Sequence, residues 1–345
     1  MILIDTIYIH NSGGKVLLEI LIKKILKNNN SNLFFFLFDS RLNKSLISKV
    51  NSENFKVLVA SEYNRAFFYK KNKSLFNHFF CFANVPPPIK LKKAVTIYFH
   101  NDLILDPNNS RIGLIERFKY QLKRKYIIYK NNNHYYWIVQ SNLMLKKLKC
   151  KLKNNFQKIS VFPFYEDLNS NSKLDFIQDT FLYVANYAYH KNHEKLIKAF
   201  QAAALKTDKK IILKLTLEPK YFNLLIKKTN YSNSNFELIN LGVLNKNLLI
   251  TAYQEANFFI YPSLKESFGL PLIEATNFSS YILAPDLEYV HEVISPSITF
   301  NPQIKSEITA VILNVLNLKR LRKAKLKMPN KIDHLMTHIT SYVQK

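Results

Sequence analysis

The sequence predicts an α/β fold built as two doubly wound, Rossmann-like domains. Two observations carry this. Short apolar runs of strand length alternate with segments of helix length along most of the chain, as in parallel sheets covered by crossover helices. The rhythm stops once, at a polar stretch rich in Asn and Ser (residues 165–173), and then restarts. A length of 345 residues suits two domains at about 150 residues each.

Taken in order, residues 1–9 read as a buried strand and residues 11–14, Asn-Ser-Gly-Gly, as a turn. Residues 16–26 have helical apolar spacing at Val16, Leu17, Ile20, Leu21 and Ile25. Strand, glycine turn and helix open a βαβ unit. Further apolar runs at 33–38, 57–60, 95–99, 136–139 and 159–162 continue the pattern. Beyond the linker, strands are expected at 181–184, 210–215, 236–241, 258–261 and 282–284. Helices are expected at 192–205, 247–256 and 271–277. Residues 304–327 read as one or two basic helices and 331–343 as a last helix. The predicted domains are residues 1–165 and 174–327.

Composition narrows the function. With 48% hydrophobic and 21% charged residues the chain is not disordered. Only five glycines exclude collagen-like and glycine-rich repeats. The two cysteines, Cys81 and Cys150, form no CxxC or zinc-spaced cluster, and a reducing cytoplasm is expected. No signal-peptide pattern is visible, since Asp5 interrupts the first apolar run. The densest apolar stretch, 33–38, is far short of the ~18 residues that cross a bilayer.

The net charge of +26 is uneven. Residues 1–165 hold 28 Lys and Arg against 8 Asp and Glu; residues 166–345 hold 22 against 16. The densest basic stretches are 117–130 and 146–158. Such an excess suits solvated helix faces, an anionic membrane surface or a phosphate-bearing substrate. Nucleic acid ranks last, because no recognition motif accompanies the charge.

The most informative segment is Tyr261-Pro-Ser-Leu-Lys-Glu-Ser-Phe-Gly-Leu-Pro-Leu-Ile-Glu-Ala275. It places a loop at the carboxyl end of a strand, where open α/β sheets bind ligands. Pro271 suits the first turn of the following helix. The N–H groups at Leu270–Leu272 would face a diphosphate, and Gly269 allows close backbone approach. The segment resembles the signature of retaining GT-B glycosyltransferases of family 4. There, two glutamates eight positions apart flank Phe-Gly-Leu-Pro; here they are Glu266 and Glu274.

The resemblance implies that Glu274 accepts the ribose hydroxyls of a nucleotide sugar and Glu266 contacts the donor sugar. Ser267, Phe268, Gly269 and Leu270 then complete the donor loop. A second match is residues 181–193, where the family Lys corresponds to Lys191. Ala185 and Asn186 stand where the family usually has Gly-Arg. One of two cations is therefore absent, leaving Lys191, the helix end and His190 or His193 to meet the diphosphate. In the first half, Gly13 and Gly14 occupy the loop that in the family faces donor phosphates and acceptor. Asn84-Val-Pro-Pro-Pro88 resembles a loop of the surface-polysaccharide branch, and His100 sits where the family often has a histidine near the reacting sugar. Gly242 and Gln140-Ser141 match common strand ends.

The resemblance runs over residues 2–294. It implies a GT-B fold, two Rossmann-like domains facing across a cleft, the second binding the nucleotide sugar and the first a saccharide acceptor. Residues 331–343 would join the first domain. It further implies transfer with retention, no cofactor and no metal, and the sequence has no Asp-x-Asp. The expected acceptor is a lipid-linked O-antigen, capsule or lipooligosaccharide glycan. The protein would then be cytoplasmic, peripheral on the inner membrane through its basic first half, with no nucleic-acid partner. Two alternatives stand beside this. One is another GT-B enzyme such as a nucleotide-sugar epimerase or a phosphorylase. The other is a non-catalytic saccharide-binding scaffold, which Asn186 would favour.

Overall fold

The computed structural model describes residues 1–27, 31–106, 113–152, 158–168, 175–232, 235–278, 281–318 and 321–342. Residues 169–173 of the predicted linker, 153–157 of the second basic stretch and Val343 lie outside the described residues. The chain divides into two units, Met1–Glu166 with Pro329–Lys345, and Asp167–Met328.

In chain order the first unit holds β1 (Ile2–Asp5), α1 (Ser12–Leu26), β2 (Phe34–Asp39), α2 (Lys44–Ile47), β3 (Phe55–Leu58), α3 (Glu62–Asn72) and β4 (His78–Cys81). It continues with β5 (Ala94–Phe99), α4 (Asp102–Leu105), α5 (Leu114–Lys130), β6 (Tyr136–Val139), α6 (Asn142–Leu152) and β7 (Lys158–Val161). The seven strands form one parallel sheet in the order β3-β2-β1-β4-β5-β6-β7. β1 and β4 are buried at every position, as expected of central strands covered on both faces.

Three expectations need correcting here. The Asn-Ser-Gly-Gly turn is mostly helix, because Gly13 and Gly14 form the first turn of α1. β4 was not expected; it is only four residues long and opens with a polar His78. That histidine is satisfied inside the unit, with Nδ1 3.0 Å from the Ile339 carbonyl and Nε2 2.9 Å from Thr96 Oγ1. Finally, helix does not continue through 321–327, as described below.

The second unit holds β8 (Ile177–Tyr183), α7 (His193–Ala204), β9 (Ile211–Leu215), α8 (Pro219–Thr229), β10 (Phe236–Asn240), α9 (Lys246–Glu255), β11 (Ala256–Ile260) and α10 (Leu270–Thr276). Then come β12 (Tyr281–Pro285), α11 (Glu288–Val293), β13 (Ile294–Ser295), β14 (Ile298–Phe300), α12 (Lys305–Asn317) and β15 (Lys325–Leu326). Its parallel sheet runs β10-β9-β8-β11-β12-β14. α12 ends at Asn317, and Lys325–Leu326 instead pairs antiparallel with β13. Lys325 and Leu326 are both exposed, so this basic segment lacks the apolar face that would hold a packed helix. The chain closes with α13 (Ile332–Thr340), in the first unit, burying Leu335, Met336 and Ile339. Among the described residues no helix is long and apolar enough to cross a membrane.

Candidate active site

The strand order of the second sheet reverses between β8 and β11. In open α/β sheets, ligands bind beyond the carboxyl ends of the strands at such a switch point. The two loops that leave this point, 184–192 and 261–269, carry the sequence motifs. They are stitched together. The Leu264 N–H donates to the His190 carbonyl (2.7 Å), and the Asn192 amide donates to the carbonyls of Pro262 (3.3 Å) and Pro302 (2.8 Å). Asn192 takes a left-handed conformation (φ 61°), one that Asn tolerates better than most residues, and so turns the chain directly into α7.

The stitched loops bring Lys191 to Glu266. Oε1 of Glu266 accepts from Lys191 Nζ (2.5 Å), the Tyr261 hydroxyl (2.8 Å) and the Ser263 hydroxyl (2.6 Å). These three hydrogen bonds converge on one oxygen of the carboxylate. Tyr261 and Ser263 are fully buried, while the Lys191 and Glu266 side chains each keep 12% exposure. Burial pushes the Glu266 carboxyl up. The Lys191 and His190 charges and the hydrogen bonds from Lys191 and Ser263 outweigh it and hold the group below the usual carboxylate range. Glu266 is thus a fixed anion with a fixed cation against it.

The neighbouring His193 supplies no second cation. Burial, with Lys191 and His190 adding to it, depresses its pKa to about 3, so its imidazole is neutral. Asn186 lies exposed on the loop after β8.

α10 begins at Gly269, whose φ of +78° is left-handed; a Cβ there would also stand 3.2 Å from Leu272 Cδ1. Pro271 is in the first turn, as expected. The donor set is smaller than the sequence suggested. Pro271 has no N–H, and that of Leu272 donates to the Gly269 carbonyl (2.9 Å), so the Leu270 N–H is what this turn has to offer an anion. Phe268 is buried and anchors the loop by packing, while Ser267 is half-buried beside it. On α10, Glu274 Oε2 accepts the Tyr253 hydroxyl at 2.8 Å. Tyr253, on α9, is fully buried and stacks on Phe278 (centroids 5.5 Å apart, planes 8° apart). Nothing in the sequence around Tyr253 marks it as part of the site.

The first sheet reverses between β1 and β4. Here Gly14 meets His100: a Cβ on Gly14 would lie 3.2 Å from His100 Nε2 and 3.2 Å from Ile9 Cδ1, while Gly13 faces open space. The His100 backbone N–H donates to Asn84 Oδ1 (2.6 Å), and Asn84 itself has φ 66°. Burial, with Lys123 adding to it, lowers the His100 pKa to about 3. His100 is therefore a neutral imidazole that can exchange hydrogen bonds but holds no imidazolium proton to donate.

Beside it lies a charge network that the sequence did not reveal. Arg65, fully buried, binds Asp5 Oδ2 through Nε (3.0 Å) and Nη2 (2.8 Å) and Glu62 Oε1 through Nη1 (2.8 Å). Tyr69 donates to Asp5 (2.7 Å), and Tyr8 and Tyr126 donate to Glu62 (2.7 and 2.5 Å). Lys123, over the Tyr8 ring, is brought down to about 8 by burial and the Arg65 guanidinium, against the pull of Glu62. Among the described residues no group of three or more His, Cys, Asp or Glu side chains gathers as a metal site.

Two parallel, doubly wound units with charged groups at their switch points define the GT-B class of α/β fold, and the comparisons agree. Over 92% of this chain and 91% of the other, the fold matches WaaG, a glycosyltransferase involved in lipopolysaccharide biosynthesis (TM-score 0.65, 12% identity). It matches Anabaena HepE, solved with UDP and glucose, over 99% and 97% (TM-score 0.63, 12% identity). At sequence level, residues 167–325 match the model of the family glycosyl transferases group 1. The resemblance read from Glu266 to Glu274 holds. The chain is 31% identical over 130 residues to the serotype-specific mannosyltransferase WbdA of Escherichia coli. That alignment covers 36% of this chain, and the chain spans only 16% of the length of that relative.

Proposed function

We propose that the protein is a retaining, metal-independent glycosyltransferase that moves a sugar from a nucleotide diphosphate sugar to a lipid-linked surface glycan. The observation that carries the reading is the Lys191–Glu266 pair, a cation and an anion locked at the switch point of the unit that matches glycosyl transferases group 1. Transfer breaks the bond from the anomeric carbon to the diphosphate, whose oxygen leaves with the electron pair. Lys191 and the Leu270 N–H stabilise that growing charge, a task fixed donors perform well. Glu266 contacts the donor sugar, and Glu274, oriented by Tyr253, receives the ribose hydroxyls.

The first unit takes the acceptor. His100, held by Asn84 and pressed against Gly14, serves there as a neutral hydrogen-bonding group, with Gly13 and Gly14 beside it. The acceptor's lipid places the protein at the cytoplasmic face of the inner membrane, in keeping with the basic first half. The names of WaaG and WbdA support surface-polysaccharide assembly.

A thermal-shift panel of UDP, GDP, ADP and CMP, with and without magnesium, tests the reading on wild type and Glu274→Ala. A ligand bound only by the folded state adds about 2.7 kcal/mol of stability at a hundredfold excess over its Kd. One diphosphate should stabilise wild type without metal and leave Glu274→Ala unmoved. No shift with any nucleotide would sink the transferase reading.

A further inference from the structure

Helix α5 carries its apolar residues on the outside. Leu114 is 80% exposed, Ile115 73%, Phe118 60%, Leu122 49% and Tyr129 81%. At about 100° of turn per residue these five fall within one arc of about 100°, a stripe running the length of the helix. A surface helix ordinarily turns such a stripe to the core. Here the buried Ile127 lies on the far side. The helix is pinned in this orientation. Tyr126 donates to Glu62 (2.5 Å), Arg124 to the Leu105 carbonyl (3.2 Å) and Lys130 to the Pro88 carbonyl (2.7 Å), so it cannot roll to hide the stripe.

Cations accompany the stripe. Of the six on α5, Lys123, Arg124 and Lys130 are engaged with the rest of the unit, whereas Lys119 and Lys125 are exposed, and the helix has a single acid, Glu116. Lys125 falls inside the apolar arc and Lys119 near its border, by the same 100° spacing. On α3, which Glu62 ties to α5, Tyr63 and Phe67 are exposed one turn apart.

We propose that the α5 stripe is the docking surface for an anionic lipid bilayer. The helix lies in the plane of the interface, its five apolar side chains entering the boundary between headgroups and acyl chains, with the flanking cations on lipid phosphates. Charge complementarity selects this occupant. A second copy of the chain would bring like charges together, whereas each Lys or Arg near an anionic surface is attracted to it. The inference rests on the membrane part of the function proposed above and locates it on one helix.

The test is co-sedimentation of the full chain with vesicles of phosphatidylglycerol and phosphatidylethanolamine, and with phosphatidylcholine alone, at low and high salt. Wild type should bind the anionic vesicles and release with salt. The pair Phe118→Ser and Leu122→Ser should weaken partitioning by about tenfold or more, as lost apolar insertion predicts. Lys119→Glu with Lys125→Glu should weaken it as much and remove most of the salt dependence. Leu114→Ser with Ile115→Ser repeats the apolar test at the helix start, where exposure removes any concern for folding. Nucleotide-induced thermal shifts should be the same in all of them.

Wild-type vesicle binding in both serine pairs would overturn the proposal. So would a concentration-dependent dimer of the free protein that the serine pairs dissolve. A wild type that ignores every vesicle overturns the membrane reading and this inference together. Loss of the nucleotide shifts alone would strike the transferase reading and leave the docking surface standing.

Discussion

Lys191 and Glu266 touch end to end at 2.5 Å although 75 positions separate them, because each follows one of the two adjacent parallel strands, β8 and β11, between which the strand order reverses. Removing the cation strands a carboxylate that also serves Tyr261 and Ser263. Lys191→Met should therefore destabilise the second unit by about 2 kcal/mol, less than a fully buried pair because both side chains still reach water. The Glu266 carboxyl should rise in pKa, so the deficit should narrow as the pH is lowered. Urea unfolding of wild type, Lys191→Met and Lys191→Arg reads this out; an unchanged midpoint in Lys191→Met would refute it.

Tyr253→Phe isolates one hydroxyl. The ring keeps its stack on Phe278, while the hydroxyl's bond to Glu274 and its longer one to the Pro271 carbonyl (3.4 Å) are lost. A stability loss of about 1 kcal/mol is expected, the usual net worth of such a bond. If Tyr253 positions Glu274, the nucleotide Kd should also rise severalfold while the fold stays intact by circular dichroism. Equal nucleotide affinity in the variant would leave Tyr253 a packing residue only.

The sequence made the strands and the donor loop readable because those features are local. Apolar runs mark strands, and Glu266, Gly269, Pro271 and Glu274 lie within one short segment whose order is distinctive. What it left hidden is non-local. Arg65 reaches Asp5 across 60 positions, and Tyr253 reaches Glu274 across 21, with no spacing rule linking either pair. β4 is hard to read from sequence because four residues opening with histidine carry little pattern, and the His78 partners come from β5 and α13. The histidines misled in a second way. His193 looked like a cation to replace the family's Arg, but charge depends on burial, which sequence does not state.

Gly269 separates backbone strain from side-chain contact. With φ at +78°, an alanine should cost about 1–2 kcal/mol, and its Cβ would also press Leu272. Gly269→Asn should recover part of the conformational cost, since Asn visits this region more easily. Gly14→Ala is the contrast. Its backbone is helical, so the penalty comes only from the 3.2 Å approaches to His100 and Ile9. Chemical denaturation of the three variants should rank Gly269→Ala as the worst; equal costs for Gly269→Ala and Gly269→Asn would contradict the strain argument.

Three histidines set the acid limit of stability. His78, His100 and His193 are each held at about 3, chiefly by burial. In the unfolded chain they return to about 6.5. Below about pH 6.5 the unfolded state thus binds more protons than the folded one, so stability is full above that pH and falls as the pH drops toward about 3. The slope is about 1.4 kcal/mol per pH unit for each histidine. Glu62, Glu266 and Asp39, held below ordinary carboxylate values, add to the same trend only at lower pH. His78→Asn keeps a donor near the Ile339 carbonyl and removes one titrating group. Urea midpoints measured from about pH 7.5 down to about pH 5 should fall steeply in wild type and less steeply, by one histidine's share, in His78→Asn. A wild-type midpoint that stays level over that window would mean these rings are not held neutral by the fold.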